Sequence, residues 1–356
     1  MIFISHPKVP GIIIGVDTHK DEHVAVAVDS LGVRIGQRNL PTTNMGYVSL
    51  ERWARSLGEI DAFGVEGTGS YGAGLARFLK GHGHKVIEVN RPDRSTRRRL
   101  GRSDPTDAEM AARAVLAGVA SDRPKSGVDE VEMIRMIKST KDSAMKSRTQ
   151  AINQMKALIV TAPIELRRVL RDLSTNQLVA FCARWCHGQL STPKIAAKCA
   201  LRSLARRYIQ LTREIEVLDA QLARLTAAFA PALMDAFGIG PDTAAVLLVT
   251  AGSNPERLKS EAAFAALCGV SPVPASSGKT NRHRLNRGGD RQANAALYRV
   301  VIVRLRYHDR TRTYFQRRTE EGKTKTEVIR CLKRYVAREV FSILHEIGER
   351  HTVLNG

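Results

Sequence analysis

The stretch IIIGVDTHKDEHVAVAVD, residues 12–29, decides the fold. Ile12, Ile13, Ile14 and Val16 form a β-branched run around one glycine and are stopped by Asp17, and a second apolar run follows from Val24 to Asp29. The polar tetrapeptide Thr18-His19-Lys20-Asp21 between them is turn chemistry, so the two runs read as adjacent antiparallel strands. Val33 to Leu40, behind Gly32, adds a third strand and completes a meander. Outward from there the pattern gives a helix at about Met45 to Ser56, a strand Ala62 to Glu66, a turn with Gly67 and Gly69, a helix to Leu79 and a strand Lys85 to Val89. A meander followed by alternating helix and strand makes a mixed α/β sheet.

The 356 residues carry 56 Lys and Arg against 35 Asp and Glu, a formal charge of +21, and 43% of them are apolar. That is enough apolar material for packed cores, and the surplus of cations calls for a polyanionic partner. Nucleic acid is the first choice, and an acidic membrane surface is its rival. The longest buried-looking run, Ala244 to Val249, is far below the roughly 18 apolar residues that span a bilayer. With Asp17 cutting the N-terminal apolar run short, the chain reads as a soluble, cytoplasmic protein without a secretory leader. Five cysteines, an odd number without paired metal-ligand spacing, argue against a disulfide framework. Cys182 and Cys186 beside His187 read as buried thiols rather than a zinc site.

Three domains are expected: 1–127, 128–228 and 229–356. The first ends with Arg91, Arg94, Arg97, Arg98, Arg99 and Arg102, a charge run that feeds a helix from Pro105 to Leu116. In the second, Leu201, Leu204, Tyr208, Leu211, Ile215, Leu218, Leu222 and Leu225 keep a 3-4 spacing, the seam of a coiled coil and hence of a homo-oligomer. A long core helix in a bundle is the alternative, although that would carry a wider apolar face. The third reads as helix, Gly-x-Gly turn, helix, a Ser/Pro/Gly/Arg-rich loop and two more helices ending near Ile347.

Asp17 and Glu66 each close an apolar strand, and neighbouring strands lie about 5 Å apart, near enough for two carboxylates to share divalent cations. Asp104 and Asp107, three apart at a helix start, share one helix face. Capping explains that second pair equally well: Asp104 as N-cap, Pro105 at the first helical position and Asp107 at the third. Taken together, two strand-end acids and a helix-borne pair form the arrangement of a two-metal nuclease. Oxygen ligands of this kind suit Mg²⁺ or Mn²⁺.

Three blocks carry a resemblance: IGVDTHK (14–20), VEGTGSY (65–71) and SDPTDA (103–108). A fourth is C-terminal, comprising FGIGPDTA (237–244), LCGVSP (267–272) and SSGK (276–279). On these, the first domain resembles a RuvC-like, ribonuclease-H-fold domain of DEDD type, and the chain resembles the insertion-sequence "one-ten" family of transposases. The resemblance implies that Asp17, Glu66, Asp104 and Asp107 bind Mg²⁺ while a serine of the C-terminal transposase domain attacks DNA, with Ser277 favoured over Ser276. It also implies a structured guide RNA that pairs with donor and target DNA. A bare serine hydroxyl is a weak nucleophile and needs a base or metal, and Arg282, His283, Arg284 and Arg287 are placed to stabilise phosphate charge.

The arginine run 91–102 and the segment Lys279 to Arg318 are the expected nucleic-acid contacts, with backbone phosphates as their targets. Gly238 and Gly240 resemble a helix-hairpin-helix turn that offers N–H groups to a phosphate. A glycine C-cap followed by Pro241 at the next helix start describes the same residues. Two rival functions stand beside the transposase: a junction nuclease using water, and a non-enzymatic nucleic-acid-binding protein.

Overall fold

The computed structural model describes residues 11–89, 103–125, 129–186, 189–252, 258, 260–274, 283–284, 286 and 288–355. They fall into two compact units, one within 1–129 and 252–259, the other within 130–251 and 260–356. Among them no helix is long and apolar enough to cross a membrane.

The first unit holds β1 (Ile12–Thr18), β2 (Glu22–Val28), β3 (Arg34–Pro41), α1 (Asn44–Leu57), β4 (Ile60–Glu66), α2 (Ala73–Gly81), β5 (Val86–Val89) and α3 (Asp104–Leu116). The strands lie in the order β3-β2-β1-β4-β5. The meander pairs antiparallel, whereas β1–β4 and β4–β5 are parallel. Each face is covered, which is why β1 and β2 are apolar nearly throughout instead of alternating. Ile12, Ile14, Val16, Ala25, Phe63 and Val65 pack under Tyr47 and Leu50 of α1 and Leu75 and Leu79 of α2. On the opposite face Ile13, Val26 and Val28 pack against Ala108 and Ala112 of α3.

The second unit is helical: α4 (Glu130–Thr161), α5 (Ile164–Leu170), α6 (Thr175–Ala183), α7 (Pro193–Phe229), α8 (Pro231–Asp235), α9 (Pro241–Ala251), α10 (Glu261–Leu267), the hairpin β6 (Val273–Pro274) and β7 (His283–Arg284), α11 (Arg291–Tyr307), α12 (Asp309–Glu320) and α13 (Lys325–Asn355). Met155 and Ile159 of α4 meet Ala197, Leu201 and Ala205 of α7. Farther along, Lys141 of α4 pairs with Asp219 of α7. The two long helices therefore run antiparallel. Leu201, Ile215, Leu218 and Leu222, half of the heptad seam, are buried within the chain.

Three helices, not two, follow the Arg-rich loop, because His308 turns to extended backbone (φ −118°, ψ 110°) and Gly322 (φ +85°) ends the helix that restarts at Asp309. The thiols also differ from expectation. Cys182 is buried inside α6, but Cys186 lies past the helix end and is exposed.

Candidate active site

Gly15 of β1 faces Gly64 of β4 in the parallel ladder, with Val16 opposite Val65 one step on. Asp17 and Glu66 follow at the same level, side by side at the ends of the two central strands. By strand alternation both share the face of Ile13, Gly15 and Gly64, the face under α3. Each is buried, at 8% and 5% exposure. The Thr18 hydroxyl ties the two strand ends together by donating to the Glu66 carbonyl at 2.9 Å.

The glycine pair sets the height of α3. A Cβ on Gly15 would stand 1.9 Å from the Ala108 carbonyl oxygen and 2.5 Å from the Ala112 nitrogen, so the helix rests on bare strand backbone. A Cβ on Gly64 would meet Val115 Cγ2 at 2.8 Å. With alanines at 108, 111 and 112, this contact brings the N-terminus of α3 over the ends of β1 and β4. The capping alternative for Asp104 is corrected here: Ser103 is the N-cap (φ −151°, ψ 145°), its hydroxyl accepting from the Thr106 N–H at 3.4 Å. Asp104 thus occupies the first helical position and its carboxylate is not spent on the cap.

His19, to which sequence reasoning gave no role, joins this group. Its Nδ1 lies 3.9 Å from Asp17 Oδ2 and its Nε2 4.0 Å from Asp104 Oδ1. One ligand atom from each of the three residues falls within 4.8 Å of the other two. The His19 N–H donates to Nδ1 of His23 at 3.3 Å, which fixes the turn. His23 is fully buried and stacked on Tyr47, with ring centroids 6.0 Å apart and planes 5° from parallel. Burial pushes its pKa down, in the direction that favours an accepting Nδ1. The signal that would have found His19 is its place two residues beyond Asp17 in a turn that the sheet holds against α3.

Burial, the largest influence, raises the pKa of Asp17; Asp107 and Asp104 raise it further, and His19 opposes them. Three acids that repel one another in a partly desolvated corner suit a bound cation. The predominantly oxygen donor set fits Mg²⁺ or Mn²⁺, and the imidazole of His19 adds a nitrogen that Mn²⁺ accepts more readily.

The other expected site residues are placed less fully. Ser276, Ser277, Lys279, Arg282, Arg287 and the arginines at 91, 94, 97, 98, 99 and 102 lie outside the described residues, as does His187. Arg284 is exposed on β7. Gly238 adopts a left-handed backbone (φ +82°), and Arg304 Nε donates to the neighbouring Phe237 carbonyl at 2.8 Å. The first turn of α9, just beyond, already carries Asp242, which Lys141 Nζ meets at 2.8 Å and Lys138 and Arg299 flank at 3.4 and 3.6 Å.

Comparison with known proteins gives two separate family matches. Residues 14–162 match a DEDD transposase family model of IS110 type, and residues 230–316 match the model described as "Transposase IS116/IS110/IS902 family". The chain is 31% identical over 147 residues to the "Insertion element IS110 uncharacterized 43.6 kDa protein" of Streptomyces coelicolor, covering 40% of this chain and 36% of that protein. It is 22% identical to the "Insertion element IS900 uncharacterized 42 kDa protein" of Mycobacterium paratuberculosis, over 95% of this chain and 96% of that protein.

Proposed function

From two IS110-type transposase domains in one chain as premise, we propose that this protein is the transposase of an insertion sequence, an enzyme that cuts and rejoins DNA by phosphoryl transfer. The observation that supports this most is the convergence of Asp17 and Glu66, at neighbouring strand ends, with the start of α3, whose Asp104 and Asp107 perturb Asp17. Asp17, Glu66, Asp104 and Asp107 would hold Mg²⁺ or Mn²⁺, with His19 at the edge of the set. A divalent cation bound there supplies charge stabilisation for the phosphoryl oxygens.

The chain's own residues do the rest. Ser277 loses its proton, its Oγ forms an ester to phosphorus, and one P–O bond of the DNA strand breaks, the departing oxygen taking up a proton. Rejoining reverses these steps on the partner strand. Arg282, Arg284 and Arg287 stabilise the charge that builds on the phosphate. The arginines at 91–102 and Lys279 hold nucleic-acid backbone, and a structured guide RNA chooses donor and target sites. In a homo-oligomer, dimer or tetramer, one subunit's carboxylates meet another's Ser277. The domain boundaries 1–127, 128–228 and 229–356 then correspond to metal-binding, assembly and nucleophile-bearing parts.

A trapping assay tests this reading. The protein, with RNA transcribed from the flanks of its element, is incubated with labelled donor and target DNA in Mg²⁺ or EDTA, denatured and peptide-mapped. A Mg²⁺- and RNA-dependent adduct on Ser277 is the expected result. Cleavage without an adduct would replace the serine by water, and binding without cleavage would remove the enzyme altogether. Assembly between subunits predicts that Asp17→Ala and Ser277→Ala proteins, each inactive, regain part of the activity when mixed.

A further inference from the structure

A second concentration of charge lies in the helical unit, in a cleft of about 830 Å³ between the β6–β7 hairpin, the turn at 269–272 and the first half of α13. Its rigid wall is made by backbone meeting backbone. Gly269 (φ +64°) and Gly289 (φ +84°) are both left-handed, and a Cβ on Gly289 would stand 2.5 Å from the Gly269 nitrogen. Along α13, Arg330, Arg334 and Arg338 recur every fourth residue, about 6 Å per step, and form one stripe facing the cleft. Like charges at that spacing disfavour the helix that carries them. Glu261 of α10 relieves part of the cost by pairing with Arg334 and, at 3.5 Å, with Arg338.

Lys333 has no such relief: among the described residues it forms no ion pair, whereas exposed Arg330 is attracted to Glu327 without a contact ion pair. Glu327, the acid that lines the cleft, turns back to accept from the Thr324 N–H and hydroxyl at 2.9 and 2.8 Å, capping its own helix. Lys333 is the informative residue. It is 8% exposed, and its Nζ donates to Asn294 Oδ1 at 2.8 Å. Asn294 is in turn oriented by donating to the Cys268 and Gly269 carbonyls, both at 3.0 Å. A buried ammonium held by one neutral amide, with spare N–H donors and an arginine nearby, lacks a counter-charge. Burial first and Arg330 second push its pKa down, the direction an anion in the cleft would reverse.

We propose that this cleft is a phosphodiester-binding site for a DNA strand, with Lys333 as its buried ligand and Arg330 and Arg284 at its exposed edge. The row of cations along one helix face suits successive backbone phosphates rather than one small anion. The cleft's hairpin strands also flank, in sequence, the segment that carries Ser276 and Ser277. The choice of DNA rests on the transposase reading above; the anion site itself does not.

The test uses the full chain in EDTA, so that binding is read without cleavage. Fluorescence anisotropy with a labelled DNA duplex, and with RNA of the same sequence, is followed as salt is raised. Lys333→Met and Arg330→Ala are expected to weaken DNA binding several-fold and to lower the slope of log affinity against log salt by about 1 each. Inorganic phosphate is expected to raise the melting temperature of the wild type and not that of Lys333→Met. Arg330 is exposed, so its variant reports even if Lys333→Met folds poorly. Unchanged affinity and slope in Arg330→Ala and in any folded Lys333→Met would overturn the proposal, and so would a loss confined to RNA. A wild type that binds DNA through Lys333 yet never cleaves it would refute the transposase reading and leave this site standing.

Discussion

Gly15 lies directly beneath Ala108: a Cβ on the glycine would stand 1.9 Å from the alanine's carbonyl oxygen. The obstacle is helix backbone, which cannot move aside as a side-chain tip does. Gly15→Ala must therefore lift α3 and with it Asp104 and Asp107, and we expect a loss of roughly 2–3 kcal/mol in urea unfolding, together with loss of the DNA cleavage proposed above. Gly64→Ala would place its Cβ 2.8 Å from Val115 Cγ2 and 3.1 Å from the Ala111 carbonyl oxygen, a milder approach than the 1.9 Å at Gly15, and should cost less, about 1 kcal/mol. Equal effects at the two glycines would mean that the close approach of α3 is not what places the acids.

Asp17 supplies a test of metal binding that needs no activity. Its folded pKa is raised, by burial and then by Asp107 and Asp104, so the charged form is a stability penalty that is present at neutral pH and relieved as pH falls through the folded pKa. Asp17→Asn removes the penalty. In EDTA at neutral pH the variant should melt a few degrees above the wild type, and Mg²⁺ should raise the wild-type melting temperature but hardly that of the variant. Identical responses of the two proteins to Mg²⁺ would exclude Asp17 as a ligand.

Glu51 of α1 titrates in the opposite sense. Burial pushes its carboxyl up, but hydrogen bonds from Arg55, His84 and His82 outweigh this and hold it at about 2, below its ordinary 4.5. Its contribution is therefore complete above about 4.5 and lost as pH falls toward 2. Arg55 and His82 are largely exposed, which limits the contribution to roughly 1–2 kcal/mol. Glu51→Gln should lower the urea midpoint at pH 6, and the gap to wild type should close by about pH 2–3. A gap that persists undiminished in acid would assign the effect to packing instead.

Much of the first unit is legible in residues 12–89 because its strands are short, β-branched and separated by turn residues, so period and punctuation agree. The neighbouring of Asp17 and Glu66 was readable from two strand ends. Their common face was not, since it depends on the parallel register that sets Gly15 against Gly64. Ser103 as the cap of α3 was hidden by Asp104, an equally good capping residue one position later. The heptad seam shows the complementary difficulty. Periodicity reveals that Leu201 and Leu222 face an apolar partner, but not that α4 of the same chain supplies part of it. The cleft beside Lys333 was invisible because its walls come from three separate segments, 269–272, 283–286 and 323–338, that only the tertiary fold brings together.

Asp242 separates two meanings of the turn at Gly238 and Gly240. Burial pushes its carboxyl up, but Lys141, Lys138 and Arg299 together bring it below the ordinary carboxylate range. Lys141 is itself buried against Asp219 and Asp242, whose hydrogen bonds keep it charged. The turn thus joins α4, α7, α9 and α11 through charges that need one another. Asp242→Asn leaves Lys141 and Lys138 under-compensated and should cost roughly 1–3 kcal/mol, the partial exposure of Asp242 reducing the penalty of a fully buried pair. Asp242→Asn should leave DNA affinity unchanged if the turn is a structural joint. If instead its N–H groups hold a phosphate, removing the acid beside them should tighten DNA binding. Anisotropy and urea unfolding on the same variant decide between the two.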